Sequence, residues 1–348
     1  MAPRPIPGEL RSSWVARLAA VNGLTIQHLL DHVLGSPWGQ PAIDGDATPS
    51  LIAGLAMVGG ISEMDLRALG VYAQFPQAPP WAFLPDVYQE SDSKRYARSG
   101  MSLPSCPACF LDQAKNGVPL HWKAEWSLAL VPLCPKHLTF LSDRCHHCST
   151  GSLAAVSHPQ NGRIVVRCTD CFRDGAFQCD CMWITRRAQL VANFEEALIS
   201  ACKGIPPDPM WIGRVQPAAF LSLVDDLMWI FLDIELDYGG PLIKFIAPAG
   251  EVEMLAGRGL WKYPFSHLPP THREKVVAAI AVALLGKRVI EHFDILLPVP
   301  LNELDLYPVS TAPRRVWRGS SSELVHRIQR WPFTFQERFC PSLDLIAR

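Results

Sequence analysis

No charge of either sign dominates this chain. Its 348 residues carry 32 Lys and Arg against 33 Asp and Glu, a formal net charge of −1, so no overall basicity advertises a polyanionic partner. Long hydrophobic runs are missing as well. The longest, Val276 to Leu285, covers half of the ~20 residues a membrane-spanning helix needs. The opening MAPRPIPGELRSSW has neither the apolar stretch nor the small-residue cleavage site of a secretory signal. A soluble, cytoplasmic protein without membrane attachment is therefore expected. There is no Gly-x-x-x-x-Gly-Lys phosphate loop, no Gly-x-Ser-x-Gly nucleophile elbow, and no internal repeat or low-complexity tract. Disorder is excluded from the other side: 49% of the residues are hydrophobic, enough to build cores.

What is present is unevenly placed. Residues 1–90 hold 4 Lys and Arg against 8 Asp and Glu, residues 91–190 hold 12 against 7, and residues 191–348 hold 16 against 18. The middle third is the basic one. It is also where the cysteines are: nine of the eleven fall between Cys106 and Cys181. Without a secretory signal a disulfide framework is not expected, and paired cysteines in a reducing compartment point to metal.

Four two-ligand knuckles follow one another: Cys106-Pro-Ala-Cys109, Cys134-Pro-Lys-His137, Cys145-His-His-Cys148 and Cys168-Thr-Asp-Cys171. Two intervening residues let both ligand atoms of a knuckle point at one ion while turn amides support the thiolates. Taken in order they make one site of three thiolates and an imidazole, then one of four thiolates. The intervals of 24 residues between Cys109 and Cys134 and 19 between Cys148 and Cys168 suit a zinc ribbon or a related treble clef. Two structural zinc ions are expected, because closed four-ligand sites leave no position for substrate. Cys179 and Cys181 compete with Cys168 and Cys171 for the second ion, and His146 and His147 offer nitrogen inside the third knuckle. His121, Trp122, Lys123, Trp126, Leu138 and Leu141 make a small core beside the first ion. The alternation of Trp126, Leu128 and Leu130 predicts a strand feeding the second knuckle.

On either side the pattern is helical. Leu10, Trp14, Leu18 and Val21 share one spacing and Ile26, Leu29, Leu30 and Val33 another, separated by Asn22-Gly23, with Thr25 as a cap. Ala19, Gly23 and Leu29 fit a helix-turn-helix, but three positions are a loose filter and an ordinary helical hairpin accounts for them as well. The second helix is not basic. Residues 36–50 and 76–87 read as connections, with a helix from Ser62 to about Leu69 between them. Pro79-Pro80-Trp81 and Leu84-Pro85 read as an extended arm, and Lys94, Arg95 and Arg98 as a small basic cluster. Beyond the cysteines, helices are predicted over Arg186 to Cys202, around Phe220 to Leu232, from the capping box Thr271 to Glu274, and from Ser320 to Glu323 up to Pro332. Trp211, Trp229, Trp261, Trp317 and Trp331 are assigned to that core. The fold class is mainly α with small β. Three parts are expected: an N-terminal helical, helix-turn-helix-like domain over 1–90, a tandem zinc-binding module over 91–185, and a C-terminal helical domain over 186–348.

The residues quoted above carry a resemblance. Pro7-Gly8-Glu9-Leu10, Ser13-Trp14, Arg17-Leu18-Ala19 and Asn22-Gly23-Leu24 look like the opening segment of the TniQ family of TniQ- and TnsD-like transposition proteins. Cys106-Pro-Ala-Cys109, Trp122 or Trp126, Cys134-Pro-Lys-His137, Leu141 and Cys145-x-x-Cys148 look like its zinc signature. The resemblance implies a non-enzymatic adaptor for target selection in DNA transposition. Such a protein links target DNA or a CRISPR effector complex to an AAA+ ATPase regulator, and a homodimer is among its expected forms. Two other readings stand beside it: a stand-alone zinc-containing transcription regulator using the N-terminal helices, and a metal-dependent nuclease built on His146-His147.

Overall fold

The structure is a computed structural model that describes residues 2–34, 43–84, 104–142, 145, 147–148, 153–158, 162–168, 170–174, 186–207, 215–233 and 270–285. These fall in two compact units, Met1–Trp183 and Ile184–Arg348.

The first unit opens with α1 (Arg11–Val21) and α2 (Ile26–Leu34), the two helices the spacing predicts. The break between them is a left-handed cap. Gly23 takes φ +68, its amide reaches Ala20 O at 3.0 Å, and Leu24 N reaches Ala19 O at 2.9 Å. That is the paired hydrogen-bond pattern in which glycine avoids the Cβ penalty. Thr25 caps α2 through its hydroxyl, 3.1 Å from His28 N. α1 is buried from Arg11 to Ala20 on every face, so it is the axis of the unit rather than a half-exposed surface helix.

Around α1 lie α3 (Pro49–Gly59), α4 (Glu63–Ala68) and the single turn α5 (Val71–Gln74). The Ser62 cap is where the sequence predicts it, accepting from Asp65 N at 3.0 Å. α3 and α5 are helices that the sequence pattern does not predict. α3 starts on Thr48-Pro49, a cap followed by a proline at the first helical position, inside a stretch that reads as connection. Its Gly59 is required by close packing, since a Cβ there would collide with the Trp14 ring.

The segment after the first knuckle corrects a second expectation. Trp126, Leu128 and Leu130 do not form a strand. Ala124–Ser127 is a 3-10 turn and the strand β1 is only Leu133–Cys134. Alternation predicts a strand with one wet face, but Leu128, Ala129, Leu130 and Val131 are all fully buried. The chain is stitched on both edges instead. Leu10 N donates to Trp122 O at 3.0 Å and Ala124 N to Gly8 O at 2.8 Å on one side; Ala129 N donates to Ala82 O at 2.7 Å and Leu84 N to Ser127 O at 2.9 Å on the other. The expected arm is thus partly a 3-10 turn, Pro80–Ala82, leading into a buried Phe83; Pro85 lies outside the described residues.

α6 (Pro107–Lys115) follows the first cysteine, and β1 pairs antiparallel with β2 (Thr139–Phe140). A longer hairpin, β3 (Leu153–His158) with β4 (Arg163–Cys168), runs in antiparallel register from Leu153 opposite Cys168 to His158 opposite Arg163. Both of its strands pack on α1.

In the second unit α7 (Arg186–Cys202), α8 (Pro217–Asp233) and α9 (Pro270–Leu285) pack on one another. Each buries a stripe at helical spacing: Leu190, Val191, Phe194 and Leu198 in α7; Phe220, Leu223, Val224 and Leu227 in α8; Val277, Ile280, Ala281 and Leu284 in α9. The Phe194 and Phe220 rings meet at 6.2 Å. α9 opens one residue ahead of the Thr271 assigned as its cap. The Ser320 to Glu323 box, Lys94, Arg95, Arg98 and four of the five tryptophans lie outside the described residues, as does the side chain of Trp229. Among the described residues no helix is long and apolar enough to cross a membrane.

Candidate metal centres

The first knuckle is a helix start. Cys106 is the N-cap of α6, Pro107 takes the first helical position, and the Cys106 sulfur accepts from Cys109 N at 3.4 Å. A thiolate at a helix N-terminus faces free amides and the positive end of the dipole. The second knuckle is the turn between β1 and β2. Leu138 N reaches back to Cys134 O at 2.7 Å with Leu138 itself left-handed at φ +53, which swings His137 toward α6.

These two turns bring four ligand atoms together. His137 Nδ1 lies 3.4 Å from Cys106 Sγ, 3.3 Å from Cys109 Sγ and 3.6 Å from Cys134 Sγ, and Cys109 Sγ lies 3.6 Å from Cys134 Sγ. A tetrahedral ion with metal–sulfur bonds of about 2.3 Å and a metal–nitrogen bond of about 2.0 Å separates sulfurs by about 3.8 Å and sulfur from nitrogen by about 3.5 Å. The residues fit such an ion. Phe110, the residue after Cys109, stacks edge-on to Trp122 at 4.8 Å and to Trp126 at 5.5 Å, so the ligands and the core beside them are built from one stretch of chain.

Charge supports the same reading. Hydrogen bonds from Cys109 and Cys134 drive the Cys106 thiol far below its usual pKa. Sharing with Cys106 pushes Cys109 up to about 12 and Cys134 higher still, with burial adding to both. Crowding sets the three sulfurs against one another as anions, and a divalent cation among them would relieve that opposition. Lys123 stands nearby. Burial works against its charge, yet Glu125 at 3.2 Å and the Cys109 sulfur outweigh it and raise its pKa.

The second cluster hangs from the β3–β4 hairpin. Cys168 closes β4, and its sulfur accepts from Asp170 N and Cys171 N, both at 3.4 Å. Cys145 Sγ lies 3.7 Å from Cys171 Sγ, and Cys148 Sγ 3.6 Å from Cys168 Sγ. All four sulfurs sit within 4.8 Å of one another, as do the four ligand atoms of the first cluster. Burial pushes the Cys168 thiol up to about 12. His147 is exposed and approaches through its backbone amide, which donates to Cys145 Sγ at 3.3 Å.

The eight candidate ligands are therefore gathered four and four: Cys106, Cys109, Cys134 and His137, then Cys145, Cys148, Cys168 and Cys171, each set able to hold a metal ion. Cys179 and Cys181 lie outside the described residues. One participant is not singled out by the sequence pattern. Asp112 on α6 meets His137 Nε2 at 3.0 Å, and its signal is a carboxylate one helical turn after Cys109.

The TniQ family model matches residues 1–141, which takes in α1 to β2 and the whole first cluster and stops short of the second. A search of the curated proteins finds no match.

Proposed function

We propose that this chain, which carries a TniQ domain over residues 1–141, is a non-catalytic adaptor that selects targets in DNA transposition. It links a recognition element, either target DNA or a CRISPR effector complex, to an AAA+ ATPase regulator. The observation that carries this reading is the family match. The two clusters support it: four protein ligands close each site, and a closed site braces a binding surface rather than offering a vacant position to a substrate.

The metal is zinc in both clusters, since a mixed sulfur and nitrogen tetrahedron suits that ion and no redox role is implied. Bound there, zinc supplies folding free energy on the order of 10 kcal/mol per site. Residues 1–90, 91–185 and 186–348 are proposed to divide the work between a helical docking part, a zinc-braced part and a C-terminal helical part.

The test is copurification. The full chain should bind duplex DNA weakly alone and should copurify with an AAA+ ATPase encoded beside it. Tight, sequence-specific binding to a duplex by the chain alone would instead favour a transcription regulator. Metal-dependent plasmid cleavage that disappears in His147→Ala would favour a nuclease. Metal analysis should give about two zinc ions per chain. Cys134→Ser should remove one of them and render the middle of the chain protease-sensitive.

A further inference from the structure

His137 has two ring nitrogens, and the structure gives each a separate partner. Nδ1 faces three sulfurs at 3.3 to 3.6 Å. Nε2 faces Asp112 Oδ2 at 3.0 Å. If Nδ1 offers its lone pair to an ion, Nε2 must carry the proton, and a carboxylate at that distance is a hydrogen-bond acceptor for it. Asp112 is placed by the same helix that places two of the sulfurs: Cys106 caps α6, Cys109 lies in its first turn, and Asp112 comes one turn later. Lys136, the residue before His137, also pairs with Asp112. The Lys136 side chain is 59% exposed, so water screens that pair and its contribution is small. The imidazole is only 18% exposed, so its bond to Asp112 is the better protected of the two.

We propose that Asp112 is a positioning residue for the first metal centre, fixing the His137 tautomer and ring plane so that Nδ1 completes the tetrahedron with Cys106, Cys109 and Cys134. This rests on the reading of that cluster as a zinc site. A carboxylate behind a ligating imidazole also strengthens it as a donor, because the ring proton is partly withdrawn. Among the described residues the second cluster gathers four sulfurs and no imidazole, so it serves as an internal reference on the same chain.

The experiment uses the full chain loaded with zinc and follows release to a chromogenic chelator. Wild type should hold two ions. Asp112→Asn keeps the shape but loses the charge, and Asp112→Ala loses both. Each should weaken retention of one ion by about 10- to 100-fold and leave the other at its wild-type rate. A variant that had merely unfolded would lose both ions together. Lys136→Ala removes the exposed pair and leaves the imidazole contact, so its release should stay within about fivefold of wild type. A cobalt-substituted chain adds a readout that a purely structural role would not move. In Asp112→Asn the d–d bands of the first centre should shift to longer wavelength as the imidazole becomes a weaker donor, while bands of the all-sulfur centre stay in place. Wild type holding two ions, with both Asp112 variants releasing at wild-type rates and an unshifted cobalt spectrum, would overturn the assignment while leaving the zinc reading intact. So would Lys136→Ala weakening retention as much as Asp112→Ala. Fewer than two ions in the wild type would overturn the zinc reading and the assignment together.

Discussion

Glu9 and Arg17 form a fork-to-fork pair inside the first unit: Arg17 Nε reaches Glu9 Oε1 at 2.8 Å and Nη2 reaches Oε2 at 2.5 Å. Ser13 Oγ and Ile6 N take up the remaining capacity of the carboxylate, at 2.9 and 3.1 Å. With both side chains at most 6% exposed, removing one charge strands the other out of water. Glu9→Ala or Arg17→Ala should each cost about 3–5 kcal/mol in chemical denaturation. Replacing both with apolar residues, Glu9→Leu with Arg17→Met, should recover much of that loss; a double variant as unstable as the sum of the singles would contradict this account. A second residue-scale expectation concerns Cys202. Burial pushes its thiol from 9.0 up to about 12, so folding favours the protonated form. Its contribution to stability is complete below the unfolded value and is lost as pH rises through the folded one. Alkylation at pH 8 should spare Cys202 in the folded chain and label it in denaturant, as read by peptide mass spectrometry.

Among the elements, helices bounded by local chemistry are legible in the amino-acid sequence. Asn22-Gly23, Thr25 and Ser62 end or begin helices by hydrogen bonds to neighbours within a few residues, and such bonds depend on local sequence alone. The gathering of seven cysteines and His137 into two groups of four is legible for the same reason, since each knuckle is a turn of fixed length. What stays hidden depends on packing. α3 is apolar round much of its surface, so it has no strong stripe to read. The Trp126 to Leu130 stretch keeps a strand-like alternation but is covered on every side, so its periodicity carries no information about which face is wet. The burial of Arg11 is equally unreadable. Its guanidinium closes the carbonyls of Ile43, Leu66 and Arg67 at 2.6 to 3.2 Å, partners 32 to 56 residues distant in sequence. At this scale, the β3–β4 hairpin should depend on the second metal and α1 should feel its loss, because both strands pack on that helix. Cys168→Ser should raise amide exchange across Leu153–His158 and Arg163–Cys168 most, across α1 less, and within α7, α8 and α9 hardly at all. Equal loss of protection in those three helices would rule out this chain of dependence.

At the scale of the molecule, segments far apart in the chain complete one another. Trp122, buried to 0%, accepts from Leu10 N and donates to Ser13 Oγ at 3.0 Å each, and Leu128 pairs with Phe83. The stretch that carries the first cluster therefore borrows its lid from residues synthesised about a hundred positions earlier. A fragment beginning at residue 91 keeps every ligand of both clusters and loses that lid. It should take up metal yet expose the rings of Trp122 and Trp126, binding an apolar fluorescent dye and aggregating where the intact chain does not. Supplying residues 1–90 as a separate chain should restore solubility. During synthesis the first ninety residues would then have to wait, folded in part, for a stretch not yet made.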